Sequence, residues 1–482
     1  MKAVCASCVH DFSKRGRREQ VGTSSATAPI PGAADVGPAA DVVSRTQASV
    51  HSPSRLLFLL VAFASCLCGC GSASTALGPL SSPGDPKMPP SARLAVASAA
   101  SCLVLTDGRV ACWGNNLTGQ LGDGTRVSHP RPVLVKDLAG ARAVDVSGNH
   151  ACALLVDGRV ACWGSNSAGQ IGDGTFNGPQ HCGRFACSTR AVAVDGVVGA
   201  TAIAVGGDMS CALTSGGVVC WGVVPDPEGG RLIASPTPVP IALDNPKAIT
   251  AGGEGAACAL VARGEVQCWG YNTYGEWGNG ATDGPRICVN GPCSAAPMRV
   301  RGIKDATTIV AGSYDTCAIV SGGAVECWGS NDDGELGLGN AIGPQRCGTK
   351  TAWNECSTVP VRVHAIRRAT AVGAGDAACA VILGGQVKCW GENDSGELGI
   401  GTTHGPDTCP YGRRCSLTPV AVRRLRHVTA LGDDGDQLCA LLTGDTVDCW
   451  GVGGGVSAGD TDNWGALPVP VPIPGIVQAS RR

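Results

Sequence analysis

The chain has 482 residues, with 37 Lys and Arg against 39 Asp and Glu, so its formal net charge is −2. Charged residues are only 16% and aromatics 4%, whereas Gly (71), Pro (30) and Cys (27) are abundant. Such a composition disfavours long helices and favours many short strands and turns. The near-neutral balance lacks the basic footprint of a nucleic-acid binder, and the cysteines fit an oxidising compartment.

In chain order, residues 1–50 are polar, Ala/Gly-rich and aperiodic, an overlong lead-in that predicts a true start codon downstream of Met1. Cys5, Cys8 and His10 have the spacing of half a metal site but stand alone. Residues 56–67 form an apolar run behind Arg55, about as long as a signal-peptide core and too short to span a bilayer. Leu67-Cys68-Gly69-Cys70 resembles a bacterial lipoprotein cleavage box, which makes Cys70 the expected lipidation site. Phe63-Ala64-Ser65-Cys66 is a poorer box, and a plain secretory signal is the alternative. Residues 1–70 are therefore read as upstream segment and signal, and 71–91 as a flexible linker. Residues 92–482 form the repeat domain. The expected location is extracytoplasmic, either lipid-anchored to the cell envelope or secreted, with the anchor as the only membrane contact.

From there the tripeptide Cys-Trp-Gly recurs seven times, at Cys112, Cys162, Cys220, Cys268, Cys327, Cys389 and Cys449. A second Cys precedes each one, at Cys102, Cys152, Cys211, Cys258, Cys317, Cys379 and Cys439. The repeat length suits a propeller blade. Copy two shows the unit: strands at Val133–Val135, Ala143–Val146, Cys152–Leu155 and Val160–Trp163, four short antiparallel strands. With Cys152 opposite Cys162, the hairpin loop is Val156-Asp157-Gly158, and a three-residue loop wants Gly last. Gly108, Gly264, Gly323 and Gly385 take the same place; copy three needs a two-residue turn, Ser215-Gly216, and copy seven has Asp445 there. In this register each Cys pair falls on a non-hydrogen-bonded site, close enough for a disulfide. Strands apolar on both faces mean blades packed on both sides. Copy one lacks a strand before Leu94-Ala95-Val96, and Pro468-Val469-Pro470-Val471 is expected to pair there and close the ring. The expectation is an all-β, seven-bladed β-propeller of four-stranded antiparallel blades, closed by a C-terminal strand.

After Trp-Gly, five copies carry Asn-x-x-Gly-[Gln/Glu]-[Leu/Ile/Trp]-Gly-x-Gly, at Asn116, Asn166, Asn272, Asn331 and Asn393. Together with Cys-Ala-Leu and Val-x-Cys-Trp-Gly, this resembles the repeat of the regulator of chromosome condensation family over residues 94–480, and the resemblance implies a seven-bladed propeller. Copies three and seven depart, with Val223-Val224-Pro225 and Val452-Gly453-Gly454 in place of the Asn run. The family's nucleotide exchange on a nuclear GTPase needs a partner that an exported chain would not meet, and secreted bacterial members include a protein inhibitor of β-lactamases. His150, in a position the family often fills with His, reads as structural.

A second cysteine set follows Gly-Pro-x-x: Cys182/Cys187, Cys288/Cys293, Cys347/Cys356 and Cys409/Cys415. Equivalent insertions in a ring emerge on one face. They read equally as proteolysis-resistant staples or as a pre-organised binding surface, with Trp353 and Tyr411 as binding candidates. No catalytic motif is present, Asp- and Asn-rich turns lack the ligand density of a calcium loop, and the Cys pairs, one per blade, would not bring four ligands together on zinc. No metal or cofactor is expected. The reading is a monomeric, non-enzymatic binding module for a protein or glycan; the alternative is a hydrolase or lyase with its site at the central channel, where clustered carboxylates and His would mark it.

Overall fold

A computed structural model describes residues 92–98, 100–226, 230–253, 255–288, 291–348, 353–452, 466–473 and 476. They fall within a compact unit, Ser82–Arg482. Cys70, the apolar run and the 71–91 linker lie outside the described residues.

Local sequence dictates the central hairpin of each blade. In copy two, Cys152 pairs with Cys162 and Leu154 with Val160, and the Gly158 amide donates to the Leu155 carbonyl at 3.0 Å, closing the three-residue loop. Gly158 has φ 79°, and a Cβ there would meet the Gly199 backbone of the next blade at 2.9 Å. In copy three Thr214 pairs with Gly217, leaving Ser215-Gly216 as the two-residue turn.

Seven antiparallel sheets result, and the chain is a seven-bladed β-propeller. The innermost strands are Leu94–Val96, Ala141–Val146, Ala200–Gly206, Ala248–Ala251, Ala306–Ala311, Ala369–Gly373 and Val428–Asp433. Each packs beside the next, and the last packs beside the first. Facing blades bury apolar side chains between them, as expected for strands apolar on both sides: Cys152, Leu154, Ile171, Val205 and Trp221 share the core between blades two and three.

Three expectations are corrected. The strand at Val133–Leu134 is the outermost strand of blade one, paired with Ala111 and Cys112, and does not open blade two. Blade phase was ambiguous because a flanking strand can join the hairpin on either side of it. For the same reason the C-terminal strand, Ala466–Pro472, completes blade seven by pairing with Val447–Val452, and no blade mixes the two chain ends. The ring closes through side chains: Leu94, Val96, Trp113, Leu441, Ile473 and Ile476 share one core, Ser101 Oγ donates to Gln437 Oε1 at 3.1 Å, and Arg93 pairs with Asp445 at 2.6 Å. Finally, blades two, four, five and six carry a fifth short strand, the first arm of each bridged loop.

Candidate binding face

Strand register sorts the loops between the two faces of the ring. His150 pairs with Gly164 and Ser165 with Cys187, so the first turn of a blade and its bridged loop leave from the same end. The hairpin turns and the linkers between blades lie at the other end: the Ala200 amide donates to the Gly158 carbonyl and that of Ala369 to Gly323.

The structure joins all eleven Cys pairs. The seven hairpin bridges run from Cys102–Cys112 to Cys439–Cys449 with Cα separations of 4.0 to 4.1 Å. The four loop bridges, Cys182–Cys187, Cys288–Cys293, Cys347–Cys356 and Cys409–Cys415, span 5.8 to 5.9 Å. Each loop bridge fixes a two-stranded extension at the outer edge of its blade.

Every bridged loop displays a large side chain. Trp353 is 43% exposed and Tyr411 82%, as suited binding candidates, and the structure adds Phe185 at 44% and Ile287 at 78%. The Arg346 guanidinium lies 4.0 Å from the Trp353 ring centre and Arg184 5.0 Å from that of Phe185, which holds both rings in place. Phe185 and Ile287 were legible only through their position beside Cys187 and Cys288, because a single apolar loop residue carries no signal by itself.

Nearer the axis, the same face gathers carboxylates from blades five to seven. Asp315 opens the second strand of blade five, Asp333 and Glu335 sit in its Asn331 loop, Asp376 lies before the second strand of blade six, Glu392 ends its third strand, and Asp433 and Asp434 lie in the first turn of blade seven. Burial raises the carboxyls of Asp315, Asp433 and Asp434 well above the usual range. Burial, then the charge of Glu335, pushes Asp333 up to about 8; burial and neighbouring acids push Glu335 to about 8 and Glu392 to about 9. Arg413, from the Cys409–Cys415 loop, reaches in to pair with Asp333 at 2.6 Å and Glu392 at 4.0 Å. Among the described residues no three His, Cys, Asp or Glu side chains form a group that could hold a metal ion.

Among the described residues this cluster of carboxylates includes no His. His150 is fully buried in blade two, with Nδ1 2.9 Å from Ser147 Oγ and Nε2 2.8 Å from Ser210 Oγ; burial lowers its pKa to about 3. It is a neutral packing residue. The opposite face is basic over blades five to seven, where linkers expose Arg367, Arg368, Arg423, Arg424 and Arg426. These five come from two short segments, and the charge total averaged them away.

Models of the regulator of chromosome condensation (RCC1) repeat match residues 141–170 and 247–276, and residues 107–154. The chain is an RCC1-like repeat protein. It is 26% identical over 321 residues to the human E3 ubiquitin-protein ligase HERC2, covering 63% of this chain and 5% of that protein. It is 29% identical over 210 residues to the ultraviolet-B receptor UVR8 of Arabidopsis thaliana, covering 41% and 43%. The chain therefore spans less than half the length of these curated relatives. The solved structure of Prp20p from Saccharomyces cerevisiae, described with its binding to Gsp1p and histones, superposes with a TM-score of 0.62 at 20% identity over 77% of this chain and 87% of that one. Human WBSCR16 superposes with a TM-score of 0.59 at 16% identity over 76% and 94%. Both likenesses speak to fold.

In these RCC1-like repeats the Asn and the Trp form one device. Asn331 Oδ1 accepts from the Leu336 amide at 3.1 Å, and its Nδ2 donates to the Asn340 carbonyl at 3.2 Å. The loop so shaped offers the Glu335 carbonyl to Trp390 Nε1 of the next blade at 2.6 Å. Trp163, Trp221, Trp328 and Trp450 donate in the same way to Gln120, Gln170, Glu276 and Glu397. Copies three and seven lack the Asn run, and among the described residues the indole N–H groups of Trp269 and Trp113, in the blades that follow them, find no acceptor.

Proposed function

We propose that this RCC1-like propeller is a non-enzymatic, extracytoplasmic binding module that recognises a protein through the face bearing its four bridged loops. The observation that carries this reading is that each loop, clamped by its own disulfide, exposes one large apolar or aromatic side chain: Phe185, Ile287, Trp353 and Tyr411. Clamped loops lose little entropy on binding, and aromatic anchors dominate interface energies. The structural relative Prp20p, described with its binding to Gsp1p and histones, agrees in kind. A cleavage box ending at Cys70 supports a lipid anchor and an envelope location. The oxidised propeller immobilised on beads should retain a defined partner from native envelope extract. A variant with Phe185, Ile287, Trp353 and Tyr411 all changed to Ala should retain none while melting at the same temperature; equal retention would refute the reading.

One observation favours the hydrolase or lyase alternative. The channel carboxylates of raised pKa have the character of proton donors. Turnover of a glycan panel that disappears in Glu335→Gln but survives loss of the four rim side chains would establish it.

A further inference from the structure

The linkers between blades turn every third residue into the ring and leave the rest outside. Val363, Ile366 and Ala369 are buried in the linker into blade six, and Val422, Leu425 and Val428 in that into blade seven. What stays outside in the linkers into blades five, six and seven is cationic: Arg301 and Lys304, Arg367 and Arg368, and Arg423, Arg424 and Arg426. All are exposed, against one exposed acid, Asp305. The linkers into blades two, three and four expose Lys136 and Lys247 against Asp137, Asp195 and Asp244. The hairpin-turn amides of Ser321, Leu383 and Thr443 donate to the Asp305, Arg368 and His427 carbonyls at 2.9 to 3.1 Å. Each linker is thus tied to the turn of the blade it enters, and the cations of three successive blades form one arc on the hairpin-turn face.

Two features set this arc apart from an ordinary solvated rim. Among the described residues none of its cations forms an ion pair, whereas on the same face Arg109 pairs with Asp107, Arg159 with Asp157 and Arg190 with Asp137. Like charges gathered without acids repel one another. The arc also keeps arginine where glycine fits better. Arg368 and Arg424 are left-handed, with φ 60° and 61°, at places where the linker into blade three has Gly199 and Gly196 at φ 64° and 73°.

The point of chain entry indicates what the arc faces. Leu94 pairs with Leu103, and the Val104 amide donates to the Arg93 carbonyl at 2.8 Å, so the chain comes into the ring at its hairpin-turn end. Arg93 pairs there with Asp445, in the same turn of blade seven that Thr443 ties to the linker carrying Arg424 and Arg426. A tether from Cys70 therefore reaches the domain beside the arc, on the face opposite the bridged loops.

We propose that this basic arc rests on anionic phospholipid headgroups and holds the loop-bearing face away from the membrane. The proposal rests on the envelope reading above and deepens it: one acyl chain gives marginal binding by itself, and a polybasic surface is the second contact that makes it stable. Leu383, 57% exposed in the turn between the two most basic linkers, supplies an apolar tip for the interface. The whole-chain charge concealed this contact, which is why the lipid alone was expected to touch the membrane.

The test uses oxidised chain 71–482, which keeps the compact unit Ser82–Arg482 and carries no acyl group. It is mixed with vesicles of phosphatidylglycerol and phosphatidylcholine, or of phosphatidylcholine alone. Co-sedimentation with the mixed vesicles is expected, absent on pure phosphatidylcholine and suppressed by high salt. Arg367→Gln/Arg368→Gln/Arg426→Gln should weaken it about tenfold or more. Arg126→Gln/Arg286→Gln/Arg414→Gln, which removes the same charge from the loop-bearing face, should leave it unchanged. The arc side chains are exposed and unpaired, so the first variant should fold, and an unchanged melting temperature verifies it. Equal weakening by both variants, none by the first, or equal binding to both kinds of vesicle would overturn the proposal. So would capture of duplex DNA with no binding to either vesicle, because that gives the face to nucleic acid. The envelope reading fails separately: a native chain without an acylated N-terminus removes the anchor and leaves vesicle binding by the arc intact.

Discussion

Asp445 stands where five other copies place Gly, and it adopts the same left-handed conformation, with φ 61°. A Cβ is tolerated there because no covalent linker runs from blade seven to blade one. Its carboxylate instead pairs with Arg93 across the closure. Gly158, pressed against the backbone of the next blade, has no such room. Gly158→Ala should therefore lower stability by about 2 kcal/mol, combining left-handed strain with the clash. Asp445→Gly should change it by less than about 1 kcal/mol, since relief of strain offsets a half-exposed ion pair. Chemical denaturation of both variants checks the contrast. The carboxylates make a second prediction. Asp333, Glu335 and Glu392 titrate at about 8 to 9 in the fold and near 4 when unfolded. The native state holds protons that the unfolded chain has released, so stability should fall as pH rises through that window. Denaturant midpoints at mildly acidic and mildly alkaline pH should differ in that sense, and Asp315→Asn should narrow the difference.

Between blades the recurring element is a Trp seated on the preceding Asn loop. Trp390→Phe loses a buried hydrogen bond as well as volume, whereas Trp269→Phe loses volume alone, its N–H having no acceptor among the described residues. The first should be the more destabilising by about 1 kcal/mol. Equal effects in thermal unfolding would show that the loop carbonyl contributes nothing. This device was readable beforehand only in outline. The tripeptide and the Asn run each recurred, but nothing in their spacing said that they meet across a blade boundary rather than within one copy.

For the whole ring, eleven bridges account for 22 of the 27 cysteines. The other five, Cys5, Cys8, Cys66, Cys68 and Cys70, lie in the first 70 residues. A mature chain beginning at a lipidated Cys70 should show no free thiol, and mass spectrometry should find an acylated N-terminus; a block of alkylatable thiols in the native protein would contradict that processing. At this scale the linkers of blades five to seven gather five exposed arginines, a local cluster that a net charge of −2 hides.

Blade number, hairpin register, turn length and cysteine pairing were set by sequence alone, because each depends on residues within a dozen positions of one another. Cys152 must face Cys162 once the loop ends in Gly158. The outward display of the bridged loops follows as well, since equivalent insertions in a ring share a face. Blade phase, the closure by Arg93, Asp445 and Ile473, and the meeting of Asp315 with Asp376 and Asp433 were decided by tertiary structure. Those acids lie in three different repeats, and only the convergence of the inner strands on a common axis brings their charges together.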